Sequence, residues 1–262
     1  MELIIYQVDA FSSRPFAGNP AAVCPVEEWP ADHLLQSIAA ENNLSETAFI
    51  GPDDDGLMIR WFTPTAEVDL CGHATLAAAS VLFSRDAVEG PVVAFASRSG
   101  TLSVVRLDDG RLEMDFPAWP AEQLEVTLGI SQTLGAVPTE LWHANYYMAV
   151  FADEDAVRAL TPDLKRIAQL DAVGLIATAP AGQGGGDFVS RFFAPRVGVP
   201  EDPATGSAHC ALAPYWARRL GKNSLYARQV SARGGELWCV VEGDRVRISG
   251  HAVEVMSGVL RF

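Results

Sequence analysis

RWFTPTAEVDLCGHATLAAASVLF, residues 60–83, has a counterpart later in the chain: RFFAPRVGVPEDPATGSAHCALAPYWA, residues 191–217. Each stretch opens on an arginine and two aromatics, passes a proline and an acidic segment, reaches a glycine, and enters an apolar run of helical composition. RWFTP at 60 matches RFFAP at 191, an offset of 131; Gly72 matches Gly206, an offset of 134. Further on, GTLSVVRLDDGRLEMDF from Gly100 resembles GELWCVVEGDRVRIS from Gly235, an offset of 135. Three matches in one order, with only small insertions between them, point to a duplicated unit of about 130 residues. The proline-punctuated PAWP at 117–120 divides the chain into halves 1–118 and 119–262.

Within the first half, LIIYQVDAF (3–11) has strand composition and ADHLLQSIAAEN (31–42) has helical spacing at Leu34, Leu35, Ile38 and Ala39. ETAFI and LMIRWF read as strands around the turn GPDDDG, and the Ala/Leu-rich segment after Gly72 reads as a helix. PVVAFAS, TLSVVRL and RLEMDF follow as strands, the last two joined by Asp109-Gly110, a hairpin signal. In the second half LWHANYYMAVF and VGLIATA read as strands, DFVSRFFAP leads to the second helix, and the chain from Tyr226 is strand-rich. GQGGGD (182–187) lacks the spacing of a phosphate-binding loop and aligns with the GPDDDG turn. The fold class is therefore mixed α/β (α+β), in two pseudo-symmetric halves.

Bulk properties narrow the partners. The 262 residues are 49% hydrophobic and 20% charged, an ordinary globular composition. The net charge of −14 argues against nucleic acid and anionic membrane surfaces, which require Lys/Arg clusters. Cys24, Cys71, Cys210 and Cys239 are scattered without a CxxC pair, so reduced thiols and a cytoplasmic setting are expected. MELIIYQVDAF has no basic region typical of a signal peptide, and the best apolar run, ATLAAASVLF, is too short to span a bilayer.

An acidic protein can still bind an anion through backbone amides. A helix start exposes unpaired N–H groups and about half a positive charge, and glycine lets a ligand approach closely. If a pseudo-twofold axis relates the halves, the helix starts at Gly72 and Gly206 face one cleft. Taken singly, each also reads as a plainly capped helix, since Thr205 and Ser207 are capping types. The copies diverge in their polar decoration, with Asp69, Cys71, His73 and Thr75 in the first and Glu201, Asp202, Thr205, Ser207 and His209 in the second. Divergence at those places is expected if the two helix starts do different jobs. The spacing of Cys71 with His73 and of His209 with Cys210 is not that of zinc ligand pairs, so no metal is expected.

Four segments carry a family resemblance: VDAFSSRPFAGNPAAVCPV (8–26), NNLSETAFI (42–50), RWFTPTAEVDLCGHATLAAA (60–79) and FFAPRVGVPEDPATGSAH (192–209). Together they resemble the phenazine-biosynthesis isomerase (PhzF-like) family over essentially the whole chain. That family shares its fold with diaminopimelate epimerase and proline racemase. The resemblance implies two halves, each a curved, barrel-like sheet around a central helix, with the active site between them and a final strand able to cross back to the first half. It implies a homodimer and no organic cofactor or metal.

The resemblance also assigns roles. The family's characterised member isomerises trans-2,3-dihydro-3-hydroxyanthranilate, with a glutamate moving a proton between ring carbons. That glutamate maps onto Glu46, the GHA histidine onto His73, and the aspartate and serine of DPATGSA onto Asp202 and Ser207. Gly72, Ala74, Thr205, Gly206 and Asn19 are candidate substrate-binding positions. Glu46 opens an apolar strand, where partial desolvation is expected to raise its pKa toward a useful acid/base value. Epimerase relatives use one cysteine per half; Cys71 stands in the first position, but Thr205 stands in the second. A two-thiol racemase is therefore disfavoured. The expected activity is cofactor-independent isomerisation of a small cyclic amino or hydroxy carboxylic acid. The alternatives are a dehydratase, lyase or epimerase using the same residues, or a non-catalytic small-molecule binder.

Overall fold

In the computed structural model, which describes residues 2–54 and 56–262, the chain divides into two units. One comprises the described residues up to Asp115 together with Ser249–Phe262; the other is Phe116–Ile248. The first unit begins with β1 (Glu2–Ala10), β2 (Asn19–Pro25), α1 (Asp32–Asn42), β3 (Glu46–Asp53), β4 (Gly56–Phe62) and the short β5 (Glu67–Val68). Then come α2 (Gly72–Ser84), β6 (Val92–Ala96), β7 (Leu102–Arg106) and β8 (Leu112–Pro117). β1 pairs antiparallel with β2, β2 parallel with β3, β3 antiparallel with β4, β4 parallel with β6, and β6 and β7 each antiparallel with the next strand.

The second unit contains β9 (Glu122–Leu124), α3 (Leu128–Leu134), β10 (Glu140–His143), β11 (Tyr147–Val150), α4 (Glu154–Arg158) and α5 (Leu164–Ile167). It continues with β12 (Leu175–Pro180), β13 (Phe188–Ala194), β14 (Val199–Asp202), α6 (Gly206–Leu220), β15 (Ser224–Gln229), β16 (Gly235–Glu242) and β17 (Arg245–Gly250). Its pairing order repeats the first: β10 antiparallel to β11, β11 parallel to β12, β12 antiparallel to β13, β13 parallel to β15, β15 antiparallel to β16. LWHANYYMAVF, expected as one strand, is two, with Ala144–Tyr146 turning between β10 and β11. The last strand, β18 (Ala252–Arg261), pairs antiparallel with β1 from Glu2↔Arg261 to Ala10↔Ala252, with a bulge at Gln7/Val8.

Each unit has one central helix. α2 buries His73, Ala74, Thr75, Leu76, Ala77–Ala79, Val81, Leu82 and Phe83, so it is apolar all round, as a helix enclosed by its sheet must be. It packs against β1, β2, β3, β7 and β18, the curved, barrel-like arrangement expected. α6 is enclosed in the same way and carries Pro214 in its interior. Proline cannot donate to the carbonyl four residues back; that carbonyl, Cys210 O, accepts instead from the Trp119 N–H at 2.8 Å. On the other face of the first sheet, Leu35, Ile38 and Ala39 of α1 pack on Ala22, Cys24, Phe49 and Phe62. The second unit fills the corresponding role with Ile130 and Leu134, Val157, and Ile167 from three short helices.

A paired device repeats as well. Arg60 grips Glu67 with two bonds of 2.8 and 2.9 Å and lies 5.2 Å over the Phe62 ring. Arg191 grips Glu201 at 2.7 and 2.8 Å and lies 4.9 Å over Phe193. In both copies this clamp ties the strand before the central helix to the segment that leads into it. No helix among the described residues is long and apolar enough to cross a membrane.

Candidate active site

β3 starts at Glu46, and α2 starts at Gly72; their first residues bring three reactive groups together in the first unit. His73 Nε2 lies 3.0 Å from Glu46 Oε2, with side chains 9% and 16% exposed. Both atoms are buried and face each other as an acid–base pair. On the opposite edge of the ring, Nδ1 lies 3.2 Å from Asn19 Nδ2 and 3.5 Å from Cys71 Sγ.

The electrostatics differ from the sequence expectation for Glu46. Burial does push its carboxyl pKa upward, but the His73 imidazolium and hydrogen bonds from His73 and Cys71 outweigh it and hold the carboxyl below the usual range. The same dry surroundings oppose charge on His73, yet Cys71 and Glu46 together raise it well above an ordinary histidine. The resting pair is therefore carboxylate and imidazolium, with Glu46 ready to accept a proton. Burial, followed by the charge of Glu46, raises the Cys71 thiol, so Cys71 stays neutral and is a poor nucleophile.

Glu46, Cys71 and His73 offer ligand atoms within 4.8 Å of one another. Cys71 and Glu46, however, flank different ring nitrogens, and an ion bound to one nitrogen faces away from the partner of the other. The arrangement suits a proton relay better than chelation.

The second unit builds a different set at its helix start. The Thr205 hydroxyl donates to Asp202 Oδ2, and the Thr205 N–H donates to Gln229 Oε1 at 2.8 Å. Gln229 Nε2 returns bonds to Asp202 O at 2.6 Å and Thr205 Oγ1 at 3.1 Å. Thr205, a candidate substrate contact by sequence, thus has its side chain engaged within the loop. Ser207 is partly exposed, with its Oγ 3.1 Å from the Tyr146 hydroxyl. The Tyr146 ring is held edge-on by Trp119 at 5.7 Å and Phe192 at 4.9 Å. His209 donates to or accepts from no charged group; its Nδ1 bonds the Thr205 carbonyl at 2.8 Å.

Neither central helix has a side-chain cap, whereas α3, α4 and α5 are capped by Thr127, Asp153 and Asp163. The plainly capped alternative for Gly72 and Gly206 therefore does not hold. At the first turns, Gly72 and Gly206 keep N–H groups that no side chain caps, whereas the Ala74 N–H donates to the Cys71 sulfur.

Strand registers align the two copies residue by residue. Thr47 faces Phe62 across β3–β4, and Leu175 faces Phe193 across β12–β13, so Glu46 corresponds to Gly174. A Cβ at Gly174 would meet the Phe192 ring at 2.5 Å, leaving no room for a carboxylate there. Cys71 corresponds to Thr205 and His73 to Ser207. The carboxylate–imidazole pair thus exists in one copy only.

Sequence reasoning missed Ser45, Tyr146 and Gln229. Tyr146 corresponds to Ala21, because Tyr147↔Leu175 matches Ala22↔Thr47. It is another polar divergence between copies and could have been found by aligning them through this region. Gln229 gives no local signal, since its partners are some 24–27 residues away in sequence.

A duplicated α/β unit with a buried central helix places the chain among proteins of the diaminopimelate epimerase-like fold. A hydroxyproline epimerase from Agrobacterium vitis, only 12% identical, shares this fold with a TM-score of 0.62 over 99% of this chain and 92% of its own. Within that class, residues 8–258 match the model of the phenazine biosynthesis-like protein family, and the chain belongs to that family. It is 55% identical to an uncharacterized isomerase of Pseudomonas aeruginosa, covering 100% of both chains. The crystal structure of a PhzF-family protein from Enterococcus faecalis is 42% identical, with a TM-score of 0.96 and full coverage of both chains.

Proposed function

We propose that this protein is a cofactor-independent isomerase that moves a proton between two carbons of a small cyclic amino or hydroxy carboxylic acid, as in the isomerisation of trans-2,3-dihydro-3-hydroxyanthranilate. The observation that carries this reading is the Glu46–His73 pair at 3.0 Å, with Gly174 and Ser207 at the corresponding places of the second copy. Racemisation with two bases takes a proton from one face of a carbon and returns one to the other. A single carboxylate returns the proton on the face from which it came, which fits migration along a conjugated system.

In the proposed reaction the Glu46 carboxylate takes a proton from one substrate carbon. The electron pair left behind delocalises through the adjoining double bond, and Glu46 delivers the proton to the far carbon. His73, cationic beside it, stabilises the carboxylate before the first transfer and after the second, and in between donates to the oxygen or nitrogen where charge develops. Asp202 is assigned to a substrate amine or hydroxyl, and Ser207 with the uncapped N–H groups of α6 to a carboxylate.

The test is solvent deuterium incorporation into a panel of cyclic amino and hydroxy acids. The wild type is expected to exchange a carbon-bound hydrogen and release an isomer of unchanged mass apart from the label. Glu46→Gln is expected to fold and lose about 10²–10⁴-fold in rate. Exchange at the wild-type rate in that variant would remove Glu46 from the mechanism, and a product lighter by one water would make the enzyme a dehydratase.

A further inference from the structure

Asn19 is fully buried in β2, opposite Ala10 of β1. Its side chain spans two polar groups: Nδ2 is 3.2 Å from His73 Nδ1, and Oδ1 accepts from Ser45 Oγ at 3.5 Å. A carboxamide has a donating end and an accepting end, so the end that faces Nδ1 dictates whether that nitrogen carries a proton.

We propose that Asn19 is a positioning residue that sets the protonation pattern of His73, its amide turning between two hydrogen-bonded states that Ser45 can satisfy equally. This rests on the reading of Glu46 and His73 as the proton-handling pair. Toward a neutral ring the amide N–H donates to a bare Nδ1, which places the ring's one proton on Nε2, toward Glu46. When the ring becomes imidazolium, Nδ1–H needs an acceptor. The amide then presents Oδ1 to it, and Nδ2 donates to Ser45 Oγ, since a hydroxyl both donates and accepts. Cys71 Sγ at 3.5 Å is the other acceptor within reach, and a weak one. A leucine in this place would fill the volume and offer neither end.

The charged and titratable groups on the elements packed around α2 are few. β3 supplies Glu46 itself, and the turn before the helix supplies Cys71. On β1, Asp9 accepts from the Phe16 N–H; on β2, burial pushes the Cys24 thiol up to about 12. On β7, Arg106 lies over Phe83, and on β18, Glu254 pairs with Arg85 beyond the far end of the helix. Glu46 and Asn19 therefore bear most directly on the ring.

The experiment is imidazole nitrogen NMR of His73 across pH in the full-length wild type and in Asn19→Asp, Asn19→Leu and Ser45→Ala, each first checked for a folded amide spectrum. No substrate is needed. Asn19→Asp supplies a permanent acceptor and is expected to raise the His73 midpoint by about one to three pH units. Asn19→Leu is expected to lower it and to remove the preference for the Nε2–H tautomer. Ser45→Ala, which leaves the turned amide without its second partner, is expected to lower the midpoint by less. A purely structural asparagine would change stability but not these readings. Unchanged midpoint and tautomer in folded Asn19→Asp and Ser45→Ala would overturn the proposal even if Asn19→Leu fails to fold. A wild-type rate in Glu46→Gln would remove the proposed function while leaving this coupling measurable, so the two can fail separately.

Discussion

At the residue scale, His209 shows how burial without a charged neighbour decides a charge state. Its side chain is fully enclosed, its ring lies 5.8 Å from Phe188, and its one bond is to the Thr205 carbonyl. Burial is the first and largest influence and carries its pKa down from 6.5 to about 4. The unfolded chain protonates this histidine near 6.5, whereas the folded chain resists until about pH 4, so the unfolded state binds the extra proton in between. The contribution to stability is fully present above pH 6.5 and is lost progressively as pH falls to about 4, amounting to about 3 kcal/mol. Urea titrations of the wild type and His209→Gln at a series of pH values measure it. The wild type is expected to lose stability over that window relative to the variant. Parallel pH dependence in the two proteins would mean that His209 titrates in the fold as it does in the unfolded chain. His73 behaves oppositely in an equally dry place because a carboxylate stands 3.0 Å away. Between two equally buried histidines, the neighbouring carboxylate decides which of these each becomes.

At the scale of elements, the two Arg–Glu clamps show what the duplication retained. Arg60 is 15% exposed and Glu67 14%, so removing Arg60 leaves a largely desolvated carboxylate with only the more exposed Arg98 beside it. Arg60→Ala is expected to cost on the order of 2–3 kcal/mol, and Arg191→Ala a similar amount, in denaturant unfolding. Arg60→Lys, which keeps the charge but loses the two-pronged grip, should recover less than half. Near-zero changes at both sites would make the clamps ornamental. These arginines lie in the very stretches that revealed the repeat, and this is why the halves, central helices and first strands were legible: their residues do the same mechanical work twice. Elements that differ between the copies were harder to read. LWHANYYMAVF reads as one strand because Asn145 is the single turn-forming residue in a run of aromatic and apolar residues. The three short helices of the second unit have no counterpart of their type where the first unit uses α1. The site divides likewise. Glu46, His73, Asp202 and Ser207 stand in recognisable motifs, while Gln229 and Tyr146 reach those loops only through the fold. The direction of the Glu46 pKa could not be read either, because it depends on an imidazole brought from 27 residues away along the chain.

At the scale of the whole molecule, the two units differ in how the chain closes them. The second is one continuous segment, Phe116–Ile248, whereas the first is completed only by Ser249–Phe262. β18 lies along β1 from Glu2↔Arg261 to Ala10↔Ala252, Leu260 packs on the α1 core, and β18 also packs on α2. Pairing β1 with β18 brings together residues from opposite ends of the sequence, and the entropy of closing so long a loop is lost before any contact is gained. Contacts of high sequence separation form late for this reason. Hydrogen-exchange pulse labelling during refolding is therefore expected to show amides of β12, β13, β15 and β16 protected before those at the β1–β18 pairing. Val253→Pro, which removes one N–H from β18 and constrains the strand, is expected to accelerate native-state exchange along β1 while leaving β15 and β16 close to wild type. Simultaneous protection of all these strands, or equal loosening of both units by the proline, would show that the chain folds as one cooperative body. In that case the interrupted unit would gain its stability from more than its own strands.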